Sequence, residues 1–526
     1  MKQLPKLPKG ETRQTRAQVS FGGYDHRPSC GEGGIYEMQN LTCADAPLLT
    51  TRSGRTKVYN VGMHPNGLFA SSDGFIWCDG NALYHNGSIF MFVDPGPKRF
   101  AELGGVILIW PDKIYLNPAA HETGYAEITY TGAVTLSDGT YQGEDARANT
   151  LTAHSEFPLF FRAGDAVSIS GCSEEKNNGT FIIRAISEDG RCMTFYEDTF
   201  TLTGTSQDES AVTIKRELPD LDYVCTYGNR LWGCAGDTVY CTRLGDPFNW
   251  YWYDADANGP VSTAAWSVDT GSPGSFTGCA AYRGSVVFTK QDVLYKLYGT
   301  KPENFQLVAS SLTGAEPTSS ESFAVANDTL FFLGSNGVMA TTGGTPRRVG
   351  DCLGRALTHG AGGSDGVRYY LSARDETGGA HLFVYDTRTG LWSREDDFAA
   401  SAFAWYDGAL YAQDDTAVWR FGEGDVSMLE SSMETGDFYS SSPDKKRLLG
   451  LQLRIEADLG ARIEVSVQYD SDGVWHAAGA FTADAKRSFL LPLTPRRCDH
   501  FRVRLQGVGV WRLQGLARKE ISSTCL

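Results

Sequence analysis

No stretch of this 526-residue chain is apolar for long enough to span a bilayer. Val106-Ile107-Leu108-Ile109-Trp110, a concentrated apolar run, stops at Pro111 and reads as a buried strand. Met1 to Arg16 is basic, contains proline and has no apolar stretch, so neither a signal peptide nor a membrane anchor is expected there. Zinc-ligand spacing is missing as well. The 12 cysteines nowhere form C-x-x-C or sit beside histidine, so they are expected as buried free thiols of a chain made in a reducing cytoplasm. His64, His85, His154, His359 and His500 have no partner at ligand spacing, and no metal is expected. Positive charge is in deficit: a formal net charge of −16 repels a phosphate backbone, which excludes gripping nucleic acid but not letting it pass.

What the chain has in quantity is glycine, 59 residues, and aromatic side chains, 12%. They recur in one phrase: apolar run, tight turn, apolar run. It appears at Tyr223 to Cys234 around Gly228-Asn229, at Gly278 to Phe288 around Arg283-Gly284, and at Ala404 to Ala412 around Asp407-Gly408. Residues that tolerate positive φ make the hairpin turns whose twist suits the flanking strands. Repeated hairpins without intervening helical periods predict an all-β fold, a β-propeller of about seven blades.

Rhythm divides the chain further. Residues 1–59 read as an N-terminal arm and leading segment, and 60–121 with 217–425 as the propeller. The stretch 122–216 alternates strictly over short segments and reads as an inserted small β-barrel emerging from one blade. A Ser-rich stretch around Ser427 to Lys446 precedes 445–526, whose alternating strands suffice for an independent C-terminal β-sandwich.

Chemistry is thinly marked. Ser71 to Trp77 is reminiscent of a sialidase turn, but Gly74 follows Asp73 one place too early, and Asp-Gly is a strong hairpin link. No pair of carboxylates carries a glycosidase signature. Gly31-Glu32-Gly33-Gly34 lacks the Lys-Ser/Thr of a phosphate loop, and Gly362-Gly363-Ser364-Asp365-Gly366 lacks the strand-to-helix context of a nucleophile elbow and reads as a glycine-rich loop. Hence no catalytic residue and no cofactor is expected. Local basic runs stand out against the acidic chain: Lys2, Lys6, Lys9, Arg13 and Arg16 in the arm, Lys445, Lys446 and Arg447, and Arg496 with Arg497. They are either solvated turn faces or docking points for an acidic neighbour. Trp250, Tyr251, Trp252 and Tyr253 are either packing between blades or a platform for stacking on sugar rings.

Three segments resemble tailed-bacteriophage tail proteins, in particular the propeller-bearing nozzle or tail-tube proteins of short-tailed phages. They are Phe21 to Pro28 continuing through Asn40-Leu41 and Pro47 to Arg55, then Val239 to Trp250, then Phe489 to Phe501. The resemblance implies a non-enzymatic virion subunit, assembled in the bacterial host cytoplasm as a homo-oligomeric ring of six copies in the tail. It implies contacts with a portal, an adaptor or other tail proteins, genomic DNA only in transit, and no membrane insertion. The rival expectation is a host-receptor or glycan-binding propeller of the tail tip, and behind it a secreted glycosidase.

Overall fold

A computed structural model describes residues 12–62, 64–158, 161–256, 259–439, 445–483 and 487–522. The fold is all-β: among the described residues the only helical segments are four three-residue 3-10 turns. The expected tight turns form as their residues dictate. Gly228-Asn229, Arg283-Gly284 and Asp407-Gly408 each have positive φ at both positions, the requirement of a two-residue type I′ hairpin.

These hairpins build seven four-stranded antiparallel sheets among the described residues: 65–92, 99–125, 223–269, 276–310, 324–348, 357–394, and 402–421 joined by Arg55–Asn60. We number them blades 1 to 7. The chain divides into two compact units, 66–317 and 1–65 with 318–526, and each is described on its own. In the first unit the opening strands of blades 2, 3 and 4, Arg99–Leu103, Tyr223–Tyr227 and Phe276–Tyr282, lie side by side. In the second, the opening strands of blades 5, 6 and 7 do the same. Sheets stacked face to face leave no apolar face for a helix to cover. Ile76 and Leu83 pack on Ile107 and Ile109, and Trp232 and Val239 on Val286 and Phe288. Tyr370 and Leu382 of blade 6 likewise meet Leu410 and Phe421 of blade 7.

Three placements differ from the sequence reading. Gly362 and Gly363 lie in a strand, Leu357–Ser364, and not in a loop. The glycines are needed by close approach, since a Cβ on Gly362 would stand 2.2 Å from the Ser322 carbonyl oxygen and one on Gly363 2.6 Å from Phe403 Cβ. The barrel is closed, with strands between Ile128 and Arg216, and follows blade 2 instead of emerging from within a blade; Glu122–Tyr125 is that blade's last strand. Arg55–Asn60, assigned to the leading segment, is the outer strand of blade 7.

The sandwich also departs from its expected boundaries. One sheet combines Lys446–Ala457, Ser488–Cys498 and Trp511–Ser522 with Thr12–Gln18, Leu41–Thr42 and Leu49–Thr51. The other combines Arg462–Tyr469, His476–Thr482 and Phe501–Val508 with Ile35–Gln39 and Glu430–Thr435. Met38, Leu41 and Leu49 are fully buried, and the same core runs on to Phe331, Tyr369, Phe383 and Trp392 of blades 5 and 6. Residues 445–526 alone cannot cover their own apolar faces, so the N-terminal strands are part of the sandwich. A fragment of residues 425–526 is therefore expected to show no cooperative thermal transition by circular dichroism, whereas the full chain does.

Candidate functional site

Two polar joints organise the molecule, and both use residues from segments that carry the family resemblance. The first lies in the unit of 1–65 and 318–526. The Tyr24 amide donates to the Trp392 carbonyl at 2.8 Å, His26 to Cys352 at 2.8 Å, and the Cys43 amide to Ser393 Oγ at 2.9 Å. Gly23 passes so near that a Cβ would meet the Trp392 carbonyl oxygen at 2.8 Å, with φ at +78°. Arg52 and Arg55 then reach Asp396, at 3.1 and 2.8 Å, and Arg55 stacks over Phe398 and Phe421.

Beneath this seam runs a chain of titratable groups. Glu37 faces His26 at 3.2 Å, Arg355 at 3.4 Å and Arg394 at 3.8 Å. Arg355 continues to Asp375 at 3.2 Å, and His381 Nε2 meets the same carboxylate at 2.9 Å. Arg394 Nε donates to His381 Nδ1, so His381 is the neutral tautomer with its proton on Nε2, held toward Asp375. Burial, chiefly, depresses the His381 pKa, consistent with that form. Burial pushes the Glu37 carboxyl up, but His26, Arg394 and Arg355 together outweigh it and hold it below its ordinary value. Hydrogen bonds from His381 and Thr377 hold Asp375 low as well. With Tyr24 1% exposed, this arrangement clamps protein to protein.

The second joint lies in the unit 66–317 and fixes the barrel to its neighbouring blades. Arg216 donates to Asp165 at 2.7 Å and to the Ala126 carbonyl at 2.9 Å. The Ala166 amide donates to Asn249 Oδ1 at 2.8 Å, while Asn249 Nδ2 donates to Asp246 at 2.6 Å. Arg162 and Arg216 each lie 4.8 Å from the Phe248 ring, which meets Tyr115 edge-on. Burial raises the Asp165 pKa against the pull of Arg216, and lowers that of Arg216 against the pull of Asp165. The Asp246-Pro247-Phe248-Asn249 phrase is thus a fastener, legible in sequence only as a motif.

The expected stacking platform separates. Trp250 is fully buried edge-on to Trp110, and Trp252 is buried under Arg243 against Ala166, Ala264 and Ala265. Tyr251 is half-buried, and Tyr253 is exposed with its hydroxyl 2.8 Å from Ser267 Oγ. Two of the four rings are therefore core, because alternate positions along this segment turn inward.

The expected docking residues also separate. Lys2, Lys6 and Lys9 lie outside the described residues. Lys446 is buried, its ammonium donating to the Tyr439 carbonyl at 2.7 Å and to that of Asp499. Strand alternation decides this: Lys446 and Leu448 point inward and Arg447 outward. Arg496 is exposed and engaged by His476 at 2.7 Å, Arg16 lies 3.2 Å from Gln14, and Lys445 is exposed. Register brings Arg13, Arg447 and Arg497 into one cross-strand row through Ile521. All three are exposed, as are Arg454 and Lys519 of the same sheet, which the sequence reading missed.

The structure also gathers Asp470, Asp499 and His500, whose ligand atoms lie within 4.8 Å of one another, although His500 has no partner at ligand spacing in sequence. His500 is engaged by Asp499 and by Ser471 at 2.8 Å, and Asp470 accepts the Asp499 amide at 2.8 Å, which makes the group a self-satisfied turn.

No family model and no curated protein matches the chain. Among solved structures it is weakly similar to the phage phi92 endosialidase, at 11% identity and a TM-score of 0.26 over 83% of this chain and 75% of that one. It is also weakly similar to Kluyveromyces lactis Hsv2, at 9% identity and 0.31 over 83% and 99%, and to a Trypanosoma rangeli sialidase, at 10% and 0.23 over 88% and 96%. No helix among the described residues is long and apolar enough to cross a membrane.

Two outcomes follow from the joints. Asp165→Ala leaves Arg216 buried without its counter-charge and is expected to cost about 3–5 kcal/mol, read by denaturant unfolding of the full chain. Glu37→Gln is expected to lower the melting midpoint at neutral pH. Because the folded carboxyl titrates below its ordinary value of 4.5, the wild-type advantage is complete above that value. It fades as pH falls through the folded-state pKa, so melts of the two proteins should converge in acid.

Proposed function

We propose that this protein is a non-enzymatic structural subunit of a tailed-phage virion, forming a nozzle-like homo-oligomeric ring that continues the DNA conduit below a portal or adaptor. The segments behind the resemblance support this reading, because Tyr24, His26, Arg52 and Arg55 in one, and Asp246 and Asn249 in another, fasten modules to one another, as a subunit under mechanical load requires.

The observation that carries it is the basic sheet face. Register sets Arg447 directly opposite Arg497, both at exposed positions of the sheet. Arg13 extends the row, and Arg454 and Lys519 flank it. The rest of the chain is strongly acidic; the barrel strands and their loops, residues 128–216, hold thirteen Asp and Glu against seven Lys and Arg. A basic face on one copy meeting an acidic surface on the next is a heterologous contact, the kind that closes into rings. An acidic wall elsewhere lets DNA pass without adhering, since like charges repel.

The double variant Arg447→Glu/Arg497→Glu is expected to abolish the ring, leaving a folded monomer by light scattering and negative-stain imaging, with wild-type assembly weakening as salt rises. Assembly unchanged by the double charge reversal would overturn the proposal, as would a wild-type chain that neither forms rings nor joins a phage tail.

A further inference from the structure

Cys225 and Cys279 belong to different sheets of the unit 66–317. Cys225 lies on Tyr223–Tyr227, the opening strand of blade 3, and Cys279 on Phe276–Tyr282, the opening strand of blade 4. These strands lie side by side, but each takes its backbone partners within its own sheet: Cys225 is in register with Trp232 and Cys279 with Phe288. Among the described residues no backbone ladder joins the two strands, and the Tyr227 hydroxyl of blade 3 donates to the Gly284 carbonyl of blade 4 at 2.6 Å. Across this contact between sheets the two sulfurs stand 3.0 Å apart, about 1 Å more than the ~2.05 Å of a disulfide bond. Both residues are partly exposed, whereas neighbouring Cys234 and Cys241 are fully buried.

We propose that Cys225 and Cys279 are a latent disulfide that closes when the folded protein leaves a reducing compartment, stapling blade 3 to blade 4. The inference is independent of the virion reading. The oxidant is a low-molecular-weight disulfide. One protein thiol loses its proton and its thiolate attacks a sulfur of that disulfide, expelling one small thiolate and leaving a mixed disulfide on the protein. The adjacent thiol then loses its proton and attacks the protein-side sulfur, expelling the second small thiolate. Two protein thiols are oxidised, one small disulfide is reduced to two small thiols, and the two protons end on those thiols.

Desolvation of the Cys279 sulfur, then the hydrogen bond with Cys225, raises the Cys279 pKa well above the ordinary thiol value, which disfavours its thiolate. Once formed, the bond closes a loop over a sequence separation of 54, which removes conformational freedom from the unfolded chain.

The test uses the full chain, purified reduced and then incubated with oxidised glutathione at mildly alkaline pH. Remaining thiols are blocked with N-ethylmaleimide before digestion and non-reducing peptide mass mapping. The expected result is a linked pair of peptides containing Cys225 and Cys279, an intact mass lower by two hydrogens, and a melting midpoint raised by roughly 5 °C that reverts with reductant. Cys225→Ala and Cys279→Ala should each abolish both the link and the shift. Persistent glutathione adducts on the two cysteines without a link would overturn the proposal, as would a bond from either to Cys234 or unreacted thiols throughout. The wild-type mapping decides the matter even if a variant fails to fold.

Discussion

A β-sheet whose two faces are both apolar must cover both, and in a chain without helices the covering has to come from other sheets. Everything else in this structure answers to that constraint. Within each unit neighbouring blades stack face to face, Ile76 and Leu83 on Ile107 and Ile109, Trp232 and Val239 on Val286 and Phe288. Close stacking in turn dictates glycine at Gly362 and Gly363, where a side chain would strike Ser322, in the 3-10 turn ahead of blade 5, and Phe403 of blade 7. The sandwich obeys the same rule by a different route. It draws on strands from both ends of the chain, since Met38, Leu41 and Leu49 fill space that its C-terminal strands leave open.

Stacked apolar faces attract without direction, and direction is supplied by the polar joints. Around Asp165 and Arg216, desolvation opposes both charges, so the pair adds less stability than its 2.7 Å contact suggests. Its contribution is geometric. Arg216, Asn249 and Asp246 tie the barrel to its neighbouring blades through directional bonds, which orient it there. The seam from Arg55 to Asp375 does the same where the leading segment crosses blade 6. An aromatic ring beneath each arginine fork, Phe248 in one case and Phe398 with Phe421 in the other, limits the positions the guanidinium can take.

The chain carries a net charge of −16, yet one sandwich sheet gathers Arg13, Arg447, Arg497, Arg454 and Lys519 at exposed positions. Lys446 shows how sharply the pleat sorts such residues: one position from Arg447, it is buried and bonded to backbone carbonyls. The docking reading therefore rests on register, which places residues 13, 447 and 497 in one row. Nothing in the local basic runs encodes that row.

By itself the sequence determined what is local. Paired positive-φ turns at Gly228-Asn229, Arg283-Gly284 and Asp407-Gly408, alternation within strands and the absence of helical periods were enough for the all-β class, the sheet repeat and a small barrel. Tertiary structure decided the pairings between distant strands: Arg55–Asn60 as the outer strand of blade 7, and Thr12–Gln18 along Trp511–Ser522. It also decided which rings of the Trp250 to Tyr253 run are core, and it set Cys225 against Cys279. The reason is physical. A hairpin is specified by the few residues that close it, whereas a strand edge accepts any strand of suitable length, and the choice among candidates is made by the shared core that each would complete.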